Sequence, residues 1–111
     1  MSSGVEVYVT DVIRNPRGET VIYGLPNNHE SGVKVGDVFV LRYEISSEDA
    51  RRGVPNPARL NVKEVSLRIT KIEMYRGQEV AELHGRTGAT GALYVSGTGL
   101  EEVTPECLLH T

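Results

Sequence analysis

The sequence predicts an all-β protein, a small closed or partly open antiparallel β-barrel of six to seven strands. Short valine-rich stretches alternate apolar and polar residues, turn signals separate them, and almost nothing has a helical period. The 111 residues include 12 glycines, one phenylalanine and no tryptophan. We therefore expect one domain, residues 1–111, with a modest aliphatic core and an N-terminal tail at residues 1–4.

The first predicted hairpin spans residues 5–24. Valines alternate with polar residues from Val5 to Val9, which is typical of a strand with one buried face. The phase then slips, so we expect a β-bulge near Thr10 and Asp11. A turn containing proline and glycine follows, and the chain returns as the second strand.

The next strand, residues 38–44, follows a Gly-Asp pair. Gly36 can supply a positive φ and Asp37 can accept a backbone N–H, so we assign both to a structural turn. Within the strand, Arg42 is opposite in parity to Phe39. We expect its side chain to face outward as a candidate contact for a partner.

The composition of residues 45–61 predicts a long connection between two strands. We expect this connection to carry at most one short helical turn. Ser46 is a possible N-cap, acidic residues come early, basic residues come late, and Gly53 follows. Loops of this length are often functional, although simple tolerance of an insertion explains this one equally well. The candidate partner-binding residues here are Glu48, Asp49, Arg51 and Arg52.

A second long strand is predicted at residues 65–75, with a bulge near Thr70 and Lys71 where the apolar phase changes. Arg68 alternates with the apolar positions of this strand. We expect it to face outward as another candidate contact, and this parity allows a position beside Arg42. Short strands separated by glycine-rich turns complete the chain, the last of them near Cys107.

Catalytic, cofactor and metal motifs are not predicted. The glycine-rich stretch at residues 85–91 has no phosphate-binding lysine and leads into a strand, unlike a P-loop. His29, His84 and His110 are too widely spaced to indicate a metal site. We interpret the single Cys107 as a buried structural residue.

Net charge and hydropathy indicate which partners and which cellular location to expect. The formal net charge is -3 and the pI is about 5.6, which disfavours a general affinity for nucleic acid. The N-terminus does not read as a secretory signal, and no apolar run has the length of a membrane span. These features predict a soluble, cytoplasmic protein that uses no metal or cofactor.

The stretch VEVYVTDVIRNPRGETVIYG resembles the opening hairpin of β-barrel domain II of translational GTPases such as elongation factor Tu, and SGVKVGDVFVL is similar to a later segment of that barrel. The resemblance rests on short elements: Asp11-Val12, Arg17-Gly18, Thr20-Val21-Ile22, Gly24, Gly32, Lys34, Gly36 and Asp37. Glu19 is an extra residue, and the loop at residues 45–61 is longer than is typical of the family. The resemblance implies a translation-factor-like barrel, which in the family docks on ribosomal RNA or holds the aminoacyl end of a tRNA.

The stretches VKVGDVFVLRYE and VSLRITKIEMY resemble, more weakly, PUA-like and ASCH barrels, which bind RNA or modified nucleosides.

Three functions are consistent with the sequence. The favoured one is a non-catalytic module that recognises a protein partner through its loops or an outer barrel face. The second is an immunity or antitoxin protein that covers a basic toxin. The third is an RNA- or tRNA-binding barrel, which the acidic pI disfavours.

Overall fold

The computed structural model describes residues 4–28 and 30–111, apart from the side chain of Tyr75. Residues 1–3 of the predicted tail and His29 lie outside the described residues. The strands are β1 (Glu6–Arg14), β2 (Thr20–Pro26), β3 (Gly32–Lys34), β4 (Val38–Glu44), β5 (Leu60–Met74), β6 (Gln78–Val80), β7 (Glu82–His84), β8 (Gly91–Thr98) and β9 (Leu108–His110). A short helix, α1 (Ser47–Arg52), lies between β4 and β5, and 3-10 turns occupy Tyr75–Gly77, Gly85–Thr87 and Leu100–Glu102.

Six antiparallel strands form a closed barrel, which confirms the predicted fold class. The main sheet has the order β4-β9-β1-β2-β8-β5-β6, and an additional pairing of β4 with β5 closes it. Strand β6 extends the sheet along the end of β5, while β3 and β7 form a separate two-stranded sheet. In the described ranges, no helix is long and apolar enough to cross a membrane.

Aliphatic side chains and one phenylalanine fill the barrel. Phe39, Leu67, Ile69 and Leu109 are among the fully buried side chains. Burial of such side chains contributes about 1.5–3 kcal/mol each relative to exposure. The core therefore consists mainly of branched aliphatic residues, as the composition predicts.

Two β-bulges lie where the sequence predicts them. The register of β1 against β2 shifts between Val9 and Asp11, and that of β5 against β8 shifts between Ile69 and Lys71. A bulge bends its strand and increases the local twist. Both bulges therefore help the sheet to close into a barrel.

Strand β4 contains register shifts that the alternation pattern did not reveal, and the predicted outward orientation of Arg42 is wrong. The pairing of β4 with β5 shifts between Phe39 and Leu41. The extra residue reverses the phase, so Arg42 lies opposite Leu109, a core residue of β9. Directly opposite residues share a face of the sheet. Arg42 consequently points into the barrel and is only 6% exposed.

The predicted Gly-Asp turn is confirmed. Gly36 has a φ of 101°, and the Asp37 carboxylate accepts a hydrogen bond from the backbone N–H of Lys34 at 3.0 Å. The Gly36 N–H donates to the carbonyl of Ile69 at 2.8 Å. This turn fixes the start of β4 against β5.

The predicted helical turn is also present as α1. The Ser46 side chain accepts a hydrogen bond from the backbone N–H of Asp49, and Gly53 ends the helix in the left-handed conformation. The long connection is shorter than predicted, because β5 already begins at Leu60. We call residues 45–59 the excursion loop.

Candidate functional site

The excursion loop covers part of the outer barrel face. Tyr43 follows the inward-facing Arg42 and pairs with Leu108, so its side chain lies on the outer face. It is nevertheless fully buried. The Arg59 guanidinium of the excursion loop lies over the Tyr43 ring, 4.4 Å from the ring centroid. The loop therefore replaces solvent over this tyrosine.

A hydrogen-bond network holds Tyr43 from the barrel side. Its hydroxyl donates to Glu6 Oε2, and Asn27 Nδ2 donates to Glu6 Oε1 at 2.8 Å. Burial, followed by the hydrogen bond to Glu6, raises the pKa of Tyr43 above its usual value. The phenol therefore remains a neutral donor, and its position is fixed against β1.

Two clefts meet at Glu6. The first, which we call the Tyr43 cleft, has a volume of about 360 Å³ and lies between the barrel and the excursion loop. It is lined by Glu6, Tyr43, Ile45, Asn56, Pro57 and Arg59. The second has a volume of about 590 Å³ and lies beside the end of β2, with His110 on its wall. The Tyr43 cleft thus combines a cation, a carboxylate and an aromatic ring.

Four predicted contact residues lie together on α1. Glu48, Arg51 and Arg52 are exposed and Asp49 is half-buried, and the helix contributes no buried residue. Arg52 pairs with Glu48 at 3.1 Å, an exposed (i, i+4) ion pair of the kind that adds little stability. The helix therefore displays these charges without anchoring them in the core.

The other two predicted contacts, Arg42 and Arg68, do not lie side by side. The buried Arg42 guanidinium donates to the carbonyls of Glu102 and Asn61 and to the Thr104 hydroxyl, at 2.5, 3.1 and 2.8 Å. It also pairs with Glu44 at 2.6 Å. Arg68 remains exposed on the outer side of β5. Arg42 therefore closes one end of the barrel.

Sequence reasoning missed Glu6, Tyr43 and Arg59. Tyr43 has the parity of the core residue Phe39, and the sequence alternation gives no sign of the shift between Phe39 and Leu41. Glu6 has the parity of an ordinary exposed strand residue. Arg59 follows a proline-containing segment with no recognisable motif. Only the fold brings these three residues together.

Cys107 is buried, as predicted. Burial raises the pKa of its thiol, so the reactive thiolate is disfavoured. Among the residues that the structure describes, no cluster of histidine, cysteine, aspartate and glutamate could hold a metal ion.

A second cation–π pair occurs on a different part of the outer face. Lys71 Nζ lies 4.2 Å from the centroid of the Tyr94 ring. The Tyr94 hydroxyl donates to Glu73 at 2.8 Å, and Lys71 pairs with the same carboxylate at 3.5 Å. Here the cation also has an acidic partner, Glu73.

Comparisons with known proteins support the fold. No protein-family model and no curated protein matches the sequence. The structure is similar to that of translation elongation factor SelB from Methanococcus maripaludis, with a TM-score of 0.63 for the apo form and 0.64 for the complex with the GTP analogue GPPNHP. In both cases the identity is 16%, and the match covers 100% of this chain but 19% of SelB. The predicted likeness to a translational GTPase barrel is confirmed at the level of the fold.

Proposed function

We propose that this chain is a non-catalytic binding module on a translation-factor-like barrel, and that it recognises a protein partner through the excursion loop and the adjoining outer face. The observation that carries this proposal is that α1 is capped at both ends but buries none of its residues. The caps order a segment that adds nothing to the core.

Chain connectivity does not require this segment. Strands β4 and β5 are antiparallel neighbours, which a short hairpin turn can connect. A helix as short as α1 is marginal in water without other support. Its caps therefore favour one conformation before any partner arrives, which reduces the entropy lost on binding.

The surroundings of the excursion loop support a protein partner. Tyr8, Val40 and Val62 of the adjoining strands are 37%, 45% and 48% exposed. Apolar and aromatic side chains next to arginine are typical of protein–protein interfaces. These residues lie on β1, β4 and β5, the same side of the barrel as Tyr43.

The test begins with affinity capture on the full chain and continues with the purified partner. Calorimetry would compare the dissociation constants of the wild type and of a variant in which glycine and serine replace residues 46–57. We expect the replacement to weaken binding at least about tenfold, equivalent to about 1.4 kcal/mol.

The matched control is Arg86→Ala, since Arg86 is also exposed but lies in a different turn. We expect it to bind like the wild type. Equal affinity of the loop replacement and the wild type would contradict the proposal. Recovery of RNA instead of a protein would favour the nucleic-acid alternative.

A further inference from the structure

We infer that the Tyr43 cleft is the centre of the partner-binding surface, where Arg59 receives a carboxylate from an acidic side chain flanked by apolar residues. This inference rests on the proposed function and specifies the chemistry of its partner. Arginine and tyrosine are enriched among the few residues that dominate binding energy at protein interfaces.

The arginine has donors available for a partner. Arg59 is exposed, and its guanidinium forms no ion pair or hydrogen bond with any residue in ranges 4–28 and 30–111. A guanidinium presents five N–H donors in a planar fork that matches a carboxylate. By contrast, Lys71 already pairs with Glu73 beside its tyrosine.

The barrel orients this guanidinium in advance. Arg59 stacks on Tyr43, Tyr43 donates to Glu6, and Glu6 accepts from Asn27. Stacking on an aromatic ring restricts the arginine side chain and leaves the edges of the fork open. Less side-chain entropy is then lost when a carboxylate binds.

Charge distinguishes a single acidic side chain from a nucleic acid. The excursion loop contains Arg51, Arg52 and Arg59 against Glu48 and Asp49, which gives a charge of +1. The whole chain carries -3, so the remainder carries -4. A polyanion would be repelled by this remainder, whereas a single carboxylate needs only the Arg59 guanidinium, because the Glu6 carboxylate in the same cleft already accepts hydrogen bonds from Tyr43 and Asn27.

Apolar residues beside the cleft indicate what flanks that carboxylate. Ile45 and Pro57 line the Tyr43 cleft. Leu60 and Val62 belong to the part of β5 that runs beside Arg42 and Glu44, and they are 43% and 48% exposed. An acidic residue with leucine-like neighbours would bury apolar area at the rim while its carboxylate reaches Arg59.

A model peptide can test this chemistry in the intact 111-residue chain. The probe is a pentapeptide, leucine–glycine–glutamate–glycine–leucine, with blocked termini, and its counterpart has glutamine in place of glutamate. Nuclear magnetic resonance would follow the Arg59 Nε–Hε signal and the nearby backbone amides during titration. We expect saturable shifts with the glutamate peptide and about tenfold weaker binding of the glutamine peptide.

Three variants locate the contact. Arg59→Gln should lose the shifts, Arg59→Lys should retain a reduced response, and Lys71→Gln should respond like the wild type. Arg59 is exposed, so its replacement leaves the core intact. Equal binding of the two peptides, or unchanged shifts in Arg59→Gln, would overturn the inference.

Other occupants would also be detected. A stronger response of Arg59 to hexauridylate than to the glutamate peptide would assign the cleft to RNA and overturn the inference. Shifts that grow with protein concentration without any probe would assign it to a second copy of this chain, with the same consequence.

The natural partner separates this inference from the proposed function. If replacement of residues 46–57 abolishes partner binding but Arg59→Gln does not, the proposed function stands and the inference fails. If neither change weakens binding, the proposed function itself fails.

Discussion

Arg42 of the barrel and Arg59 of the excursion loop are both arginines, but their environments differ. Arg42 lies inside the barrel end, where its guanidinium contacts Glu44, Glu102 and Thr104. Arg59 lies on the outer face, stacked on Tyr43 and exposed to solvent. The difference separates a residue whose contacts hold the fold together from a residue whose guanidinium remains exposed to solvent.

The largest expected effect on stability comes from a substitution in the barrel core. Phe39→Ala removes a fully buried aromatic side chain and leaves a cavity. We expect the free energy of unfolding to fall by about 3–5 kcal/mol, measured by chemical denaturation followed by circular dichroism. Val40→Ala is the control, because Val40 is 45% exposed, and it should change stability by less than about 0.5 kcal/mol. Similar losses for both would mean that Phe39 is not a core residue.

A smaller loss of stability is expected from a substitution of Arg42 at the end of the barrel. Arg42→Gln removes the ion pair with Glu44 and leaves the part-buried carbonyls of Glu102 and Asn61 without these donors. We expect a loss of about 2–4 kcal/mol, because unsatisfied buried groups are costly and Glu44 keeps some access to water. Arg68→Gln makes the same chemical change on an exposed residue and should be close to neutral. A neutral Arg42→Gln would show that its contacts do not stabilise the barrel.

The two strands with β-bulges explain why the sequence predicted one arginine wrongly. In β5 the apolar phase changes visibly, from Leu67 and Ile69 to Ile72, so the bulge can be located. In β4, Leu41 and Tyr43 continue the apolar alternation that begins at Phe39. The sequence therefore gives no sign of the register shift between Phe39 and Leu41. The alternation alone therefore assigned Arg42 to the wrong face.

Local features were predicted better than distant contacts. The cap at Ser46 and the turn at Gly36 depend on residues within a few positions, and both are confirmed. The acceptors of Arg42 at Glu102 and Thr104 lie about sixty residues away in the chain. The stacking of Arg59 on Tyr43 likewise depends on how the excursion loop folds back, which no short motif specifies.

Backbone conformation gives the third prediction. Gly36→Val places a β-branched residue at a φ of 101°, although no atom would lie within 4 Å of the new Cβ. We expect backbone strain alone to reduce the free energy of unfolding by about 1–3 kcal/mol. Asparagine tolerates positive φ better, so Gly36→Asn should lose less. Unchanged thermal melting of Gly36→Val would contradict the assignment of this turn.

The smallest effect on global stability is expected in the excursion loop. Ser46→Ala removes the cap of α1, which costs the helix about 1 kcal/mol. Because α1 buries no residue, we expect the global free energy of unfolding to change by less than about 0.5 kcal/mol. Amide hydrogen exchange in α1 should nevertheless become faster, and Ser46→Thr, which keeps a hydroxyl cap, should preserve the protection. A global loss as large as that of Gly36→Val would mean that the excursion loop unfolds with the barrel, and the distinction between the two regions would no longer hold.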